Sequence, residues 1–110
     1  MTPADILDRA ADYVDRGWCQ MALARDAEGN EREPHDDNAV RWCATGALYA
    51  AQGRARDYDA EYAARSALSA VLGDRGVTSW NDRLPPGSGP IVAAKMREAA
   101  QWWREEQGHG

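Results

Sequence analysis

Apolar residues recur at helical spacing in several stretches of the chain, and the first stretch follows the N-terminus directly. Its apolar positions are Leu7, Ala10, Ala11 and Val14. This spacing places them on one face of an α-helix. Thr2 is a residue type suited to the N-cap, and Gly17 is suited to the end of a helix. We therefore predict a first helix from about Pro3 to Arg16.

The clearest amphipathic pattern begins after Asn38, which is also a suitable N-cap residue. Its apolar positions, at i, i+3, i+4, i+7, i+8 and i+11, are Val40, Cys43, Ala44, Ala47, Leu48 and Ala51. This pattern predicts a second helix that ends at Gly53. Gly46 in its interior would lower helix stability by about 1 kcal/mol relative to alanine. We expect close packing against another helix or an aromatic ring, such as that of Trp80, to explain this glycine.

Two further helices are predicted in the second half of the chain. The third runs from about Asp57 to Leu72 and is closed by Gly73. Ser88 can cap the last helix. The inward-facing positions of this last helix are Val92, Met96, Ala99, Ala100 and Trp103. Residues 108–110 are expected to be frayed.

Two segments lack helical periodicity. Residues 18–33 either form a short β-hairpin with a turn near Gly29 or contain a helical turn, since residues 20–24 are alanine-rich. Residues 76–89 are expected to form a structured loop, because Trp80 within them is a poor choice for a mobile surface turn. The sequence thus predicts a mainly α single domain over residues 1–110, a bundle of about four helices with the hairpin alternative between helices one and two.

Charge is concentrated in one part of the chain, residues 26–38, which we call the acidic segment. Its charged residues are Asp26, Glu28, Glu31, Glu33, Asp36, Asp37 and, as the single base, Arg32. The net charge of −5 of the whole chain therefore lies here. Without a cluster of basic residues, binding to nucleic acid is not expected. We expect another protein as the partner, with Asp36 and Asp37 among the contacts, while the oligomeric state stays open.

The composition, the apolar runs and the N-terminus of the chain indicate its cellular compartment. The chain has 110 residues, of which 28% are charged and 44% hydrophobic, as is ordinary for a globular domain. No apolar run is long enough to cross a bilayer, and the N-terminus lacks the features of a secretion signal. We therefore expect a cytoplasmic protein without membrane contact. In such a compartment Cys19 and Cys43 would be free thiols.

Cys43 is the candidate nucleophile of the sequence. A cysteine-dependent hydrolase or transferase would need a base, for which His35 is available, and Asn81 or Asp82 could orient that base. The alternative is that Cys43 packs in the core, because it lies on the apolar stripe of the second helix and cysteine is among the most buried residue types. We favour this second interpretation and expect no catalysis.

Other site types find little support in the sequence. The cysteines and histidines show no spacing typical of metal ligands, and the acidic segment lacks the glycine position and final glutamate of a calcium loop. No motif for a nucleotide or another cofactor is present, so neither a metal nor a cofactor is expected. Trp102 and Trp103 are adjacent and cannot face the same way, so one of them is a candidate anchor for a partner.

Two motifs together suggest a family. The first is Trp42-Cys43-Ala44-Thr45-Gly46-Ala47-Leu48, and the second is Trp80-Asn81-Asp82. In this order, and with Gly17-Trp18 before them, they resemble an uncharacterised family of small actinobacterial and actinophage proteins of unknown function. The resemblance covers nearly the whole chain and implies a small, mostly helical domain in a phage or actinobacterial setting. It implies no activity.

Taken together, the sequence predicts a small acidic accessory protein that acts by protein binding. Besides the acidic segment and the tryptophan pair, the candidate contact residues for a ligand or partner are Trp80, Asn81 and Asp82. Asn81 and Asp82 can also serve as local caps that turn the loop, which is the alternative role for both.

Overall fold

A computed structural model of the chain describes residues 1–108. The helices in this range are α1 (Pro3–Arg16), α2 (Ala44–Ala51), α3 (Tyr58–Val71), α4 (Val77–Arg83) and α5 (Gly89–Gly108). The strands are β1 (Ala24–Arg25), β2 (Glu31–Arg32) and β3 (Arg41–Trp42). The mainly helical class is confirmed. The frayed tail predicted for residues 108–110 concerns mainly residues 109 and 110, which lie outside the described residues.

The central helix is α1, which packs against α2, α3 and α5. It begins as predicted at Pro3, because Thr2 and Asp5 form a reciprocal capping box in which each side chain accepts the backbone N–H of the other residue. Its buried face consists of Ala4, Ile6, Leu7, Ala10, Ala11 and Val14. The three alanine side chains of this face, Ala4, Ala10 and Ala11, are small enough to let neighbouring helices approach closely.

The antiparallel pairing of α1 with α5 is supplemented by exposed ion pairs. Arg97 contacts Asp12 at 3.0 Å and Asp15 at 2.6 Å, and Arg104 contacts Asp8 at 2.8 Å. Exposed pairs of this kind contribute little to stability, so apolar packing is the main attraction between the two helices. Among residues 1–108, no helix combines the length and the apolar character needed to cross a membrane.

The two later helices that were predicted are confirmed with small shifts in their ends. Asp57 caps α3 by accepting the N–H of Ala60, and Gly73 follows the helix with a φ of +77°. Before α5, the carbonyl oxygen of Ser88 accepts the N–H groups of Ile91 and Val92, but the Ser88 hydroxyl donates to the carbonyl of Pro85 and forms no capping hydrogen bond to α5 within the described residues. The N-cap at Asp57 and the left-handed Gly73 are local signals, which explains why the sequence predicts the ends of α3 well.

The hairpin alternative for residues 18–33 is confirmed, and the sheet has one strand more than predicted. The strand order is β2-β1-β3, with antiparallel pairing throughout and Ala24 opposite both Arg32 and Trp42. Trp18 forms a further, parallel bridge to Trp42. This bridge connects the segment after α1 to the segment before α2.

The predicted start of the second helix after Asn38 is wrong. Residues 41 and 42 form β3 instead, and α2 begins at Ala44 with Cys43 as its N-cap. The apolar spacing of Val40 and Cys43 fits a helix, but backbone pairing with β1 and with Gly17 fixes the extended form. Val40 is consequently 42% exposed rather than part of a buried stripe.

The predicted count of four helices is also wrong, because residues 76–89 are not a loop throughout. Val77–Arg83 forms the short helix α4, whose buried residues Val77, Trp80 and Asn81 lie at i, i+3 and i+4. The apolar pattern does not indicate this helix because Asn81, one of its three buried residues, is polar. As a result, the motif Trp80-Asn81-Asp82 lies on a helix.

Candidate functional site

The acidic segment is folded around the carboxylate of Asp26. One carboxylate oxygen accepts the N–H groups of Glu28 and Asn30 at 3.0 and 2.9 Å, and the other accepts Nε of Arg32 at 2.9 Å. Burial by itself would raise the pKa of Asp26, but these hydrogen bonds outweigh it and lower the pKa. Asp26 therefore stabilises the hairpin turn and adds little negative charge to the surface.

Four of the five remaining acids of the segment are exposed at the surface. Glu28, Glu31, Glu33 and Asp37 are exposed, and none of them forms an ion pair within residues 1–108. Asp36 is half-buried, accepts the N–H of Asn38 and lies 3.9 Å from Arg32. Because Arg32 is committed to Asp26, it does not pair with Glu28, Glu31, Glu33 or Asp37, and these four carboxylates keep their negative charges at the surface of the hairpin.

Two exposed aliphatic side chains lie beside these acids. Leu23 lines a shallow cavity of about 390 Å³ together with Glu31, Arg32, Glu33 and Asp36. Val40 lines a second one of about 410 Å³ together with Asp26, Ala27, Glu28, Arg32, Asp37 and Asn38. We call the surface formed by Leu23, Val40 and the exposed acids the hairpin surface. The register of the sheet places Leu23 on one side of the hairpin and Val40 on the other, so each of these two apolar side chains lies beside its own group of acids.

Asn81 holds the second motif against the rest of the fold. Its side chain is 0% exposed, and Oδ1 accepts both the indole N–H of Trp18 at 2.7 Å and the backbone N–H of Ala44 at 3.0 Å. Its Nδ2 donates to the carbonyl of Cys19 at 3.2 Å and to Asp82 at 3.0 Å. All four hydrogen bonds available to an asparagine amide are thus formed within the chain.

Asp82 continues this network at the surface. Its Oδ1 accepts the backbone N–H of Met21 at 3.0 Å as well as the amide of Asn81. Met21 has a φ of +67°, a conformation that a non-glycine residue rarely adopts, and the hydrogen bond to Asp82 helps to hold it. Both polar residues of the motif therefore form structural hydrogen bonds, and Asn81 has no group left for a ligand in this conformation.

Cys43 is buried, with 3% of its surface exposed, and acts as the N-cap of α2. Its sulfur accepts the N–H of Gly46 at 3.3 Å. Burial raises the pKa of the Cys43 thiol, and the amides at the start of the helix offset this only in part. A raised pKa makes a thiol a weaker nucleophile at neutral pH, as expected for the core interpretation.

Gly46 is required by a backbone contact and not by the ring of Trp80. A Cβ atom at this position would lie 1.8 Å from the carbonyl oxygen of Leu23, closer than any side chain can be accommodated. The predicted close approach to Gly46 is therefore correct, but the approaching group is the backbone of Leu23 and not another helix or the ring of Trp80. The segment before β1 crosses directly over the first turn of α2 and packs against its backbone.

Of the candidate catalytic residues, the structure brings Cys43 and Asp82 to one cavity and places His35 in another. Cys43 and Asp82 line a small cavity of about 260 Å³ with Met21, Ala22, Leu23 and Thr78. His35 lines a different cavity beside Tyr13, Arg16 and Trp42. No hydrogen bond joins Cys43 to His35 in the part of the chain that the structure describes. Within that part, no group of histidine, cysteine and acidic side chains is arranged to hold a metal ion.

Comparison with known proteins agrees with the motif pattern. A family model described as a family of unknown function, DUF6197, matches residues 1–101. The chain belongs to DUF6197. No curated protein and no solved structure matches this DUF6197 chain.

The two adjacent tryptophans of this DUF6197 protein face different ways, as expected for neighbours on a helix. Trp103 packs against the core, and Trp102 is 39% exposed. Trp102 as a partner anchor stays a prediction, as do the roles assigned to Asp36 and Asp37. Sequence reasoning missed Leu23, whose exposure depends on the path of the chain over Gly46 and has no local signal.

Gln20 is a second residue of this DUF6197 chain that the sequence did not single out. Its Nε2 donates to the carbonyls of Asn81 and Leu84, at 2.9 and 2.7 Å. These bonds satisfy carbonyl groups near the end of α4. Both Gln20 and Asn81 therefore fasten α4 to the segment that follows α1.

Proposed function

We propose that this protein is a small accessory protein that acts by binding another protein through the hairpin surface. The observation that supports this is the arrangement of Leu23 and Val40, each of which lies beside exposed acids that form no ion pair within residues 1–108. Apolar contacts at the centre of an interface supply affinity, and a charged rim supplies orientation.

The partner that fits this surface carries basic side chains around an apolar one. A lysine or arginine can pair with Glu31, Glu33 or Glu28, while an aliphatic side chain of the partner covers Leu23. The turn is held by three hydrogen bonds to Asp26, so the acids are presented on an ordered backbone. Such preorganisation lowers the entropy that is lost on binding.

The two sequence motifs also bear on the origin of the protein. Their resemblance to small actinobacterial and actinophage proteins supports a phage or actinobacterial origin. An interaction role also agrees with the buried, weakly nucleophilic thiol of Cys43, which offers no reactive group.

The test uses two triple variants that change the net charge equally. In the first, Glu28, Glu31 and Glu33 are replaced by lysine. In the control, the exposed residues Asp59, Glu105 and Glu106 are replaced by lysine. A set of synthetic peptides with arginine or lysine around a central leucine is titrated against each protein, with glutamate-containing peptides of the same length for comparison.

We expect the basic peptides to bind the unmodified protein and the control, and to lose about tenfold or more in affinity for the hairpin variant. Binding should weaken as salt is added, because the charges are exposed. Leu23→Ser should lower affinity without changing the salt dependence. Equal affinity for both triple variants would contradict the proposal, as would equal binding of acidic and basic peptides.

A further inference from the structure

A groove of about 540 Å³ lies along α4, on residues that the hairpin surface does not share. It is lined by Arg75, Gly76, Ser79, Trp80, Arg83 and Leu84. Its volume falls in the range of small-molecule sites, which is about 300 to 1,000 Å³. We call it the Arg75–Arg83 groove.

The side chains of this groove can donate hydrogen bonds but include no carboxylate. Arg75 and Arg83 are exposed, and neither guanidinium forms an ion pair within residues 1–108. Asp74 precedes Arg75 in the sequence and Asp82 precedes Arg83, yet neither aspartate lines the groove. The Asp82 carboxylate instead binds the backbone of Met21. The groove is thus locally positive on a chain whose net charge is negative.

A second observation at the groove concerns the indole N–H of Trp80. The Trp80 side chain is more than nine-tenths buried, at 9% exposure, and it lines the groove. The indoles of Trp18 and Trp42 donate to Asn81 and to the carbonyl of Pro34, but that of Trp80 has no acceptor in the described chain. Trp80 Nε1 is not among the fully enclosed unpaired side-chain atoms of the described residues, so it reaches solvent, where water or a ligand can accept its hydrogen bond.

Buried tryptophans usually find an acceptor for the indole N–H. An acceptor supplied from outside would need lone pairs, and two guanidinium groups beside it favour a negative charge on that acceptor. We propose that the Arg75–Arg83 groove binds a small organic oxyanion. Its carboxylate or phosphate pairs with Arg75 and Arg83 and accepts the indole N–H of Trp80, and its apolar body contacts Leu84 and the Trp80 ring.

The test follows the five indole N–H resonances of the 15N-labelled protein by NMR during titration. The probes are phenyl phosphate, benzoate and inorganic phosphate, with benzyl alcohol as a neutral analogue. The variants are Arg75→Gln with Arg83→Gln, and the control is Arg9→Gln with Arg54→Gln, which removes the same charge from exposed positions outside the groove. Circular dichroism checks that each variant is folded.

We expect saturable movement of the Trp80 indole resonance with phenyl phosphate or benzoate, and little movement of the Trp102 resonance. The paired groove variant should bind about tenfold more weakly or worse, while the control variant binds normally. The stronger of the two aromatic anions identifies phosphate or carboxylate as the preferred group. Unsaturable shifts, equal shifts with benzyl alcohol, or equal affinities for the two double variants would overturn the proposal.

Discussion

Replacing Asn81 by alanine should remove the most connected polar side chain of the fold. The substitution leaves the indole N–H of Trp18 and the backbone N–H of Ala44 without their acceptor, and the carbonyl of Cys19 without a donor. Each buried polar group left unpaired costs about 1–3 kcal/mol. Because part of the space can be filled by water or by relaxation, we expect a total loss of about 3–5 kcal/mol in the free energy of unfolding.

A loss of this size is a large fraction of the stability of a domain, which is about 5–15 kcal/mol. Urea denaturation followed by tryptophan fluorescence measures it directly, with the slope of the transition checked for two-state behaviour. Asn38→Ala is the matched control, because the Asn38 side chain is exposed. We expect this control to change stability by less than about 0.5 kcal/mol.

A second substitution at the same site distinguishes the stability lost with the hydrogen bonds from the stability lost with the side-chain volume. Asn81→Asp keeps the shape and the acceptor for Trp18, but its carboxylate faces the carbonyl of Cys19 and the carboxylate of Asp82. The variant should therefore be least stable at neutral pH and should recover part of its stability when acid protonates it. If Asn81→Ala is no less stable than Asn38→Ala, the assignment of Asn81 as the junction between α4 and the rest of the fold is refuted.

Two further predictions concern the same region. Gly46→Ala should lower the melting temperature in spite of the better helix propensity of alanine, because the new Cβ would lie 1.8 Å from the carbonyl oxygen of Leu23. In the control Gly76→Ala the new Cβ meets no described atom within 4 Å, so this variant should lose less than about 1 kcal/mol in the free energy of unfolding. Burial and the neighbouring Cys43 raise the pKa of Cys19 from 9.0 to about 11. The unfolded chain then loses this proton first, so stability should hold below pH 9 and fall towards pH 11, and a denaturation series should show a smaller fall for Cys19→Ala.

Helix ends marked by local chemistry could be predicted from the sequence. The capping box at Thr2, the N-cap at Asp57 and the glycine after α3 each depend on residues within a few positions of one another. No distant part of the chain has to be known to interpret them. This is why α1 and α3 were predicted almost to the residue.

The start of α2 could not be predicted in the same way. The spacing of Val40, Cys43 and Ala44 is equally compatible with a helix, and the decision depends on backbone hydrogen bonds to β1 and to the segment after α1. Pairing partners 15 or more positions away leave no mark on local periodicity. The same reasoning applies to Gly46, where the need for glycine was visible but the approaching backbone of Leu23 was not.

The candidate sites show a similar division. The sequence located the acidic segment, and the structure shows that Asp26 acts within the turn while other acids of the segment face outward. The two exposed aliphatic residues beside them could not be foreseen, since Leu23 and Val40 fit a buried pattern. The Arg75–Arg83 groove was missed because α4 had been predicted as a loop.

The hydrogen bonds of Asn81 also have a consequence for the order of folding. They join residues 63 and 37 positions apart in the chain, at Trp18 and at Ala44. During synthesis α1, the sheet and α2 emerge first, yet the junction that unites them cannot close until α4 has left the ribosome. Long-range closure of this kind slows folding, and any chain truncated before Asn81 would lack the side chain that completes the domain.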